Sequence, residues 1–168
     1  MLIDVSYFTK GGRKVQYATS QATDDVNSLA TNEYLTDFIS GLQSEFLNAM
    51  LGTELGPVIT AYLDMLDNET SAEHNPDNDV LCIHLKESFA DYVFFMLLRD
   101  NGKYVTTTGT YRMSSDNTQI SPIDIQVAVW NDMVKRNKEF YSWANSAFCK
   151  FEIEVNSYML KRINALNL

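Results

Sequence analysis

The sequence predicts a mainly helical fold, a small bundle of amphipathic helices packed around one central helix. The strongest observation lies between Leu81 and Asn101, where apolar residues recur at helical spacing and the run from Tyr92 to Leu98 is entirely apolar or aromatic. A helix that is apolar on all sides is surrounded by other elements. The same spacing recurs over residues 32–51 and again after Ser121, which supplies partners for the central helix.

Composition and charge exclude several classes of protein. The 168 residues are 45% hydrophobic and 12% aromatic, which predicts one domain with a substantial core. The formal net charge is -9, and no basic patch of size stands out. We therefore expect no direct binding of nucleic acid or anionic membranes. The central apolar run is far shorter than the roughly 20 residues of a membrane span.

Residues 1–20 are predicted to form a hairpin or an extended arm. Gly11 and Gly12 lie between two segments that carry Val and Tyr side chains, and paired glycines supply the positive φ of a tight hairpin turn. Two strands alone are marginal in water, so both alternatives stay open.

The helical core is predicted over residues 31–145. Its first helix runs from Asn32 to Leu51 and ends at Gly52, and a shorter helix begins at Pro57. We expect these two helices to form an antiparallel pair. The polar run at 67–79 is interpreted as a solvated loop that leads to the central helix.

An exposed excursion is predicted between the last two long helices. Residues 103–120 are rich in β-branched and polar side chains, which favours a strand or β-hairpin with fast amide exchange. Ser121 and Pro122 then form the capped start of the last long helix. Residues 146–168 form a C-terminal tail, for whose end a short helix is one alternative.

No constellation of residues indicates an enzyme. The sequence has no nucleophile motif, no nucleotide-binding glycine loop and no pair of His or Cys at ligand spacing. Cys82 and His84 are two positions apart and so do not face each other on a helix. The acidic run around Asp77 and Asp79 lacks the central glycine of a calcium loop. We predict no catalytic residues, no cofactor and no metal site.

The sequence has only two cysteines and opens without a signal-peptide pattern. Both observations predict folding in a reducing cytoplasm.

The last long helix carries apolar residues away from its main apolar face. Ile125, Val129 and Trp143 project there, and a Trp is rarely left wholly in water without a reason. Either the C-terminal tail covers this surface within the chain, or a neighbouring subunit covers it. The candidate interface comprises Ile125, Val129, Trp143, Thr108, Tyr111 and Arg112.

The order of three segments between Glu87 and Trp143 carries a resemblance to a known family. The segments are ESFADYVFFMLLRDN, then TTTGTYRMSS, then ISPIDIQVAVWNDMVKRNKEFYSW, and FISGLQSEFLNAMLGTELGPVITAYL precedes them. Together they resemble the head-to-tail connector (adaptor) proteins of tailed bacteriophages and prophages. The segment FISGLQSEFLNAMLGTELGPVITAYL is similar to the early helix pair of that family.

This resemblance implies a structural part of a virion rather than an enzyme. Subunits of that family are small helical bundles that join side by side into a ring beneath the portal. The implied partners are the portal protein, the next neck or tail-completion protein, and further copies of the chain. The implied location is the host cytoplasm and then the virion neck. Alternative hypotheses are a small acidic protein-binding or regulatory module of a bacterium or mobile element, and an enzyme that uses the acidic run.

Overall fold

Three long helices form the frame of the protein in a computed structural model, which describes residues 1–68, 73–101, 122–146 and 149–167. The helices are α1 (Val26–Asn68), α2 (Pro76–Asn101) and α3 (Pro122–Ala144), and 3-10 turns lie at Val5–Phe8, Gly11–Arg13 and Ser157–Leu160. The mainly helical fold class is confirmed, and no strand occurs within these four ranges. The excursion predicted at 103–120 lies outside the described residues.

The central position predicted for α2 is confirmed. Phe89 and Phe95 are almost wholly buried, and each packs against a different neighbouring helix. The ring of Phe89 lies 5.0 Å from that of Phe46 in α1, and the ring of Phe95 lies 4.8 Å from that of Trp130 in α3. These aromatic contacts join all three helices into one core.

α2 begins within the run that the sequence analysis interpreted as a loop. The Oδ1 atom of Asn75 accepts a hydrogen bond from the backbone N–H of Asp77 at 3.0 Å. Pro76 occupies the first helical position, where no backbone N–H is needed. An N-cap followed by proline is a helix-start signal, so the prediction of a loop as far as Asp79 was wrong.

α1 also begins before its predicted start at Asn32. Asp25 caps it, because its Oδ2 atom accepts a hydrogen bond from the backbone N–H of Ser28 at 2.8 Å. The first helical residue is therefore Val26.

α1 reverses direction at Gly52, where the sequence predicts a break. Gly52 has φ 86° and ψ 174°, a conformation that favours glycine. A Cβ at Gly56 would lie 2.8 Å from the Cα of Asn48. Because residues eight apart are about 12 Å apart along a straight helix, the second half of α1 must fold back beside the first.

Residues 1–20 form an arm across the bundle rather than a hairpin. Leu2, Ile3 and Phe8 are buried in the core, and the backbone N–H of Leu2 donates to the Oε1 atom of Gln43 at 2.6 Å. The arm obtains its burial from the helices, which a pair of isolated strands would lack.

Residues 149–167 form a strap that joins α1 to α3. The backbone N–H of Asn156 donates to the carbonyl of Ala49 at 2.8 Å. The indole N–H of Trp130 donates to the carbonyl of Lys161 at 2.9 Å. Within the strap, Ser157–Leu160 form a 3-10 turn, and no α-helix follows in residues 161–167.

Candidate interaction surfaces

A buried ion cluster fixes the arm to α2 and α3. The Asp91 side chain is 8% exposed, and its two carboxylate oxygens lie 3.3 Å from Arg13 of the arm and 2.7 Å from Arg136 of α3. Arg13 also contacts Glu87 at 2.5 Å. Burial raises the pKa of the Asp91 carboxyl, and Arg136 and Arg13 oppose that effect. One carboxylate thus holds three parts of the chain together.

Beyond this cluster the arm forms one wall of an apolar groove, with a volume of about 570 Å³. The arm contributes residues 14–17, α1 contributes Ala30 and Tyr34, and α2 contributes Phe94 and Leu98. Phe94 is buried at the floor, whereas Tyr17 and Tyr34 in the walls are 52% and 40% exposed. The groove therefore presents aromatic side chains to solvent next to a buried apolar floor.

The charges around the groove are mainly acidic. The hydroxyl of Tyr34 donates to Asp100 at 3.2 Å, and Glu33 and Asp37 lie three positions after Ala30 and Tyr34 on α1, and both are exposed. Lys14 is a basic residue of the lining. From Val15 to Leu85 the sequence contains no Lys or Arg, so the whole of α1 is acidic.

In contrast to the acidic surroundings of the groove, a group of basic residues lies along α3. Lys135 and Lys138 of α3 line a cavity of about 450 Å³ together with Arg162 of the strap, and Glu139 is the acidic residue among them. These three basic residues form a small basic patch, in which the fold places Arg162 beside two residues of α3 that are distant from it in the sequence. Residues 135–162 contain six of the 13 Lys and Arg residues of the chain: Lys135, Arg136, Lys138, Lys150, Lys161 and Arg162.

The structure places the predicted interface residues in different surroundings. Ile125 is 36% exposed. Val129 and Trp143 are half-buried and pack against the core, and the ring of Trp143 stacks on that of His84 at 4.1 Å. The strap and α2 thus supply neighbours within the chain for this helix. Thr108, Tyr111 and Arg112 lie outside the described residues.

The sequence analysis did not identify the groove. Its walls come from three distant segments, and Tyr34 lies beside the main apolar face of α1 rather than on it. The signal in the sequence was Tyr34, a large aromatic residue that lies next to Leu35 but outside the main apolar face of α1. Such a position indicates a surface, but it does not indicate what shares that surface.

The acidic run near the start of α2 makes contacts within the chain. Asp77 pairs with Lys150 at 2.8 Å. Asp79 accepts a hydrogen bond from the Tyr62 hydroxyl at 2.7 Å and lies 3.1 Å from His74. Within the described ranges, no group of three or more His, Cys, Asp or Glu side chains is arranged to hold a metal ion. None of the helices, as far as they are described, combines the length and apolarity of a membrane span.

Comparisons with family models, curated proteins and solved structures found no match to this chain.

Proposed function

We propose that this protein is a head-to-tail connector subunit, a structural component of a virion neck that joins with its own copies into a ring beneath the portal. The observation that carries the proposal is the groove. A groove with a buried apolar floor and with exposed Tyr17 and Tyr34 in its walls is typical of a site that another polypeptide covers. The segments from Glu87 to Trp143 resemble the connector family, and this resemblance is the basis for the kind of assembly that we propose.

The rigidity of the bundle suits a subunit that contacts several partners at once. The arm and the strap tie the three helices together through Asp91 and Trp130, so the subunit has a defined shape before it meets a partner. A preorganised surface loses little conformational entropy on association. We therefore propose a role in assembly, with the portal protein and the next neck protein as partners and with no catalytic function.

The test is negative-stain electron microscopy of the purified protein mixed with the portal protein encoded by a neighbouring gene. The expected result is a ring of subunits on one end of the portal, absent from the portal alone. Failure of the protein to bind the portal or to form rings at any ratio would contradict the proposal.

A second candidate is an acidic binding module. It is favoured by the absence of Lys and Arg from Val15 to Leu85, which gives α1 a surface suited to a basic partner. This candidate predicts a one-to-one complex with a basic protein, weakened by salt, and no ring. Mass measurement of the complex in solution separates the two functions.

A further inference from the structure

Two features that the described residues leave exposed complement each other. One is the groove between the arm, α1 and α2. The other is the turn at residues 164–167, at whose tip Leu166 is 97% exposed. A leucine so completely exposed loses no contact by moving into an apolar site on another molecule, and its burial is favourable.

The turn is ordered before any partner arrives. The backbone N–H of Asn164 donates to the Asn167 side chain at 2.6 Å, and the N–H of Leu166 donates to the Asn164 side chain at 2.9 Å. Asn131 of α3 exchanges two hydrogen bonds with the backbone of Ile163, each at 3.0 Å. The leucine is therefore presented on a fixed base, which lowers the entropy cost of docking.

The charges beside the two features are opposite in sign. Arg162 precedes the turn and forms the basic patch with Lys135 and Lys138. Glu33 and Asp37 flank the groove on α1. Two copies of a chain with net charge -9 repel each other in most orientations. The orientation that sets the basic patch against α1 replaces this repulsion with attraction.

We propose that Leu166 of one copy enters the groove of the next copy, with Arg162, Lys135 and Lys138 against Glu33 and Asp37. This inference rests on the proposed function and specifies the contact between neighbouring subunits. The two surfaces are different parts of the chain, so the contact is heterologous and leaves a free turn and a free groove on every pair. Repetition of such a contact closes into a ring when the rotation between subunits permits it.

Two variants each remove one side of the contact. The turn variant combines Leu166→Asp with Arg162→Glu, and the groove variant combines Glu33→Arg with Asp37→Arg. All four side chains are exposed, so both variants should fold with the thermal stability of the wild-type chain. We expect each variant alone to associate at least about tenfold more weakly than the wild-type chain, with the wild-type association weakened by salt.

A mixture of the two variants gives the most specific result. The intact turn of the groove variant fits the intact groove of the turn variant, so sedimentation velocity at high protein concentration should detect a heterodimer, whereas neither variant alone should associate to a comparable extent. A chain that carries Arg162→Glu, Lys135→Glu and Lys138→Glu together with Glu33→Arg and Asp37→Arg exchanges the charges on both sides of the contact and should recover association. Absence of the heterodimer would overturn the inference.

Matched controls lie on other surfaces. Ile83→Asp changes an apolar residue of α2 that is 64% exposed, and Asp64→Arg reverses an exposed charge in the second half of α1. Both controls should associate like the wild-type chain.

The portal experiment distinguishes this inference from the proposed function. If the wild-type chain and both variants form equal rings on the portal, the proposed function stands and the inferred contact is wrong. If the groove variant associates with its own copies normally and fails only to bind the portal, the groove belongs to the portal and the inference is again overturned. If the wild-type chain forms no ring on the portal, the proposed function fails, while the mixed-variant measurement still decides the contact.

Discussion

The two sides of α2 differ in how completely they are covered. Toward α3, Trp130 is 1% exposed, and buried Asn137 joins the Ser88 hydroxyl to the carbonyl of Met159. Toward the start of α1, Phe94 and Leu98 instead line the groove, which the described residues leave open. Among the described residues, α2 is therefore packed more completely toward α3 than toward the start of α1.

The largest expected effect comes from the buried core, where α2 packs on the middle of α1. Phe89→Ala removes a fully buried ring that packs on Phe46, and should lower the free energy of unfolding by about 3 to 5 kcal/mol. Leu29→Ala on the exposed part of α1 is the matched control and should change it by less than about 0.5 kcal/mol. Denaturant unfolding measures both. Equal small effects would remove α2 from the centre of the core.

Cysteine labelling sharpens the comparison without any substitution. Cys82 is buried in α2, and burial raises the pKa of its thiol from 9.0 to about 11. The thiolate is the reactive form, so at about pH 8 its fraction falls roughly a hundredfold. We expect iodoacetamide to modify half-buried Cys149 first, as followed by mass spectrometry, and both cysteines at similar rates after unfolding. Faster labelling of Cys82 in the folded chain would show that this part of α2 opens readily.

A smaller loss is expected when the polar link between α2 and the strap is cut. Asn137→Ala leaves the Ser88 hydroxyl and the Met159 carbonyl without a buried partner, which should cost about 1 to 3 kcal/mol of unfolding free energy. Asn145→Ala is the control, because the exposed Asn145 side chain donates to the Tyr141 carbonyl at the end of α3. A neutral result for Asn137→Ala would mean that water replaces this link without loss.

The smallest expected effect is a pH dependence at the ion cluster. Because the pKa of Asp91 is raised from its ordinary value of 3.8, folding favours its protonated form. The stability that this group contributes is therefore present below about pH 3.8 and is lost as the pH rises through the raised pKa. The stability of the wild-type chain minus that of Asp91→Asn, measured by thermal unfolding, should therefore fall as the pH rises from about 3 to 7, because Asn does not titrate and resembles the protonated carboxyl. A signed difference that rises with pH would reverse the assigned direction.

The sequence by itself determined the helices, because helical periodicity and end signals are local. The buried run from Tyr92 to Leu98, the break at Gly52 and the extent of the last helix follow from residues close to one another in the chain. The starts of α1 and α2 are also determined by local signals, the capping residues Asp25 and Asn75. Both starts were predicted too late because these stretches are polar, although each contains a capping signal.

Only the tertiary structure decided which surfaces exist. The groove needs the arm, α1 and α2 together, and the basic patch needs Arg162 beside Lys135 and Lys138. The arm was left open between two alternatives, because its burial comes from helices far away in the sequence. Trp143 was equally undecided until His84 was found against its ring. Periodicity states which face of a helix is apolar, whereas long-range packing alone determines what covers that face.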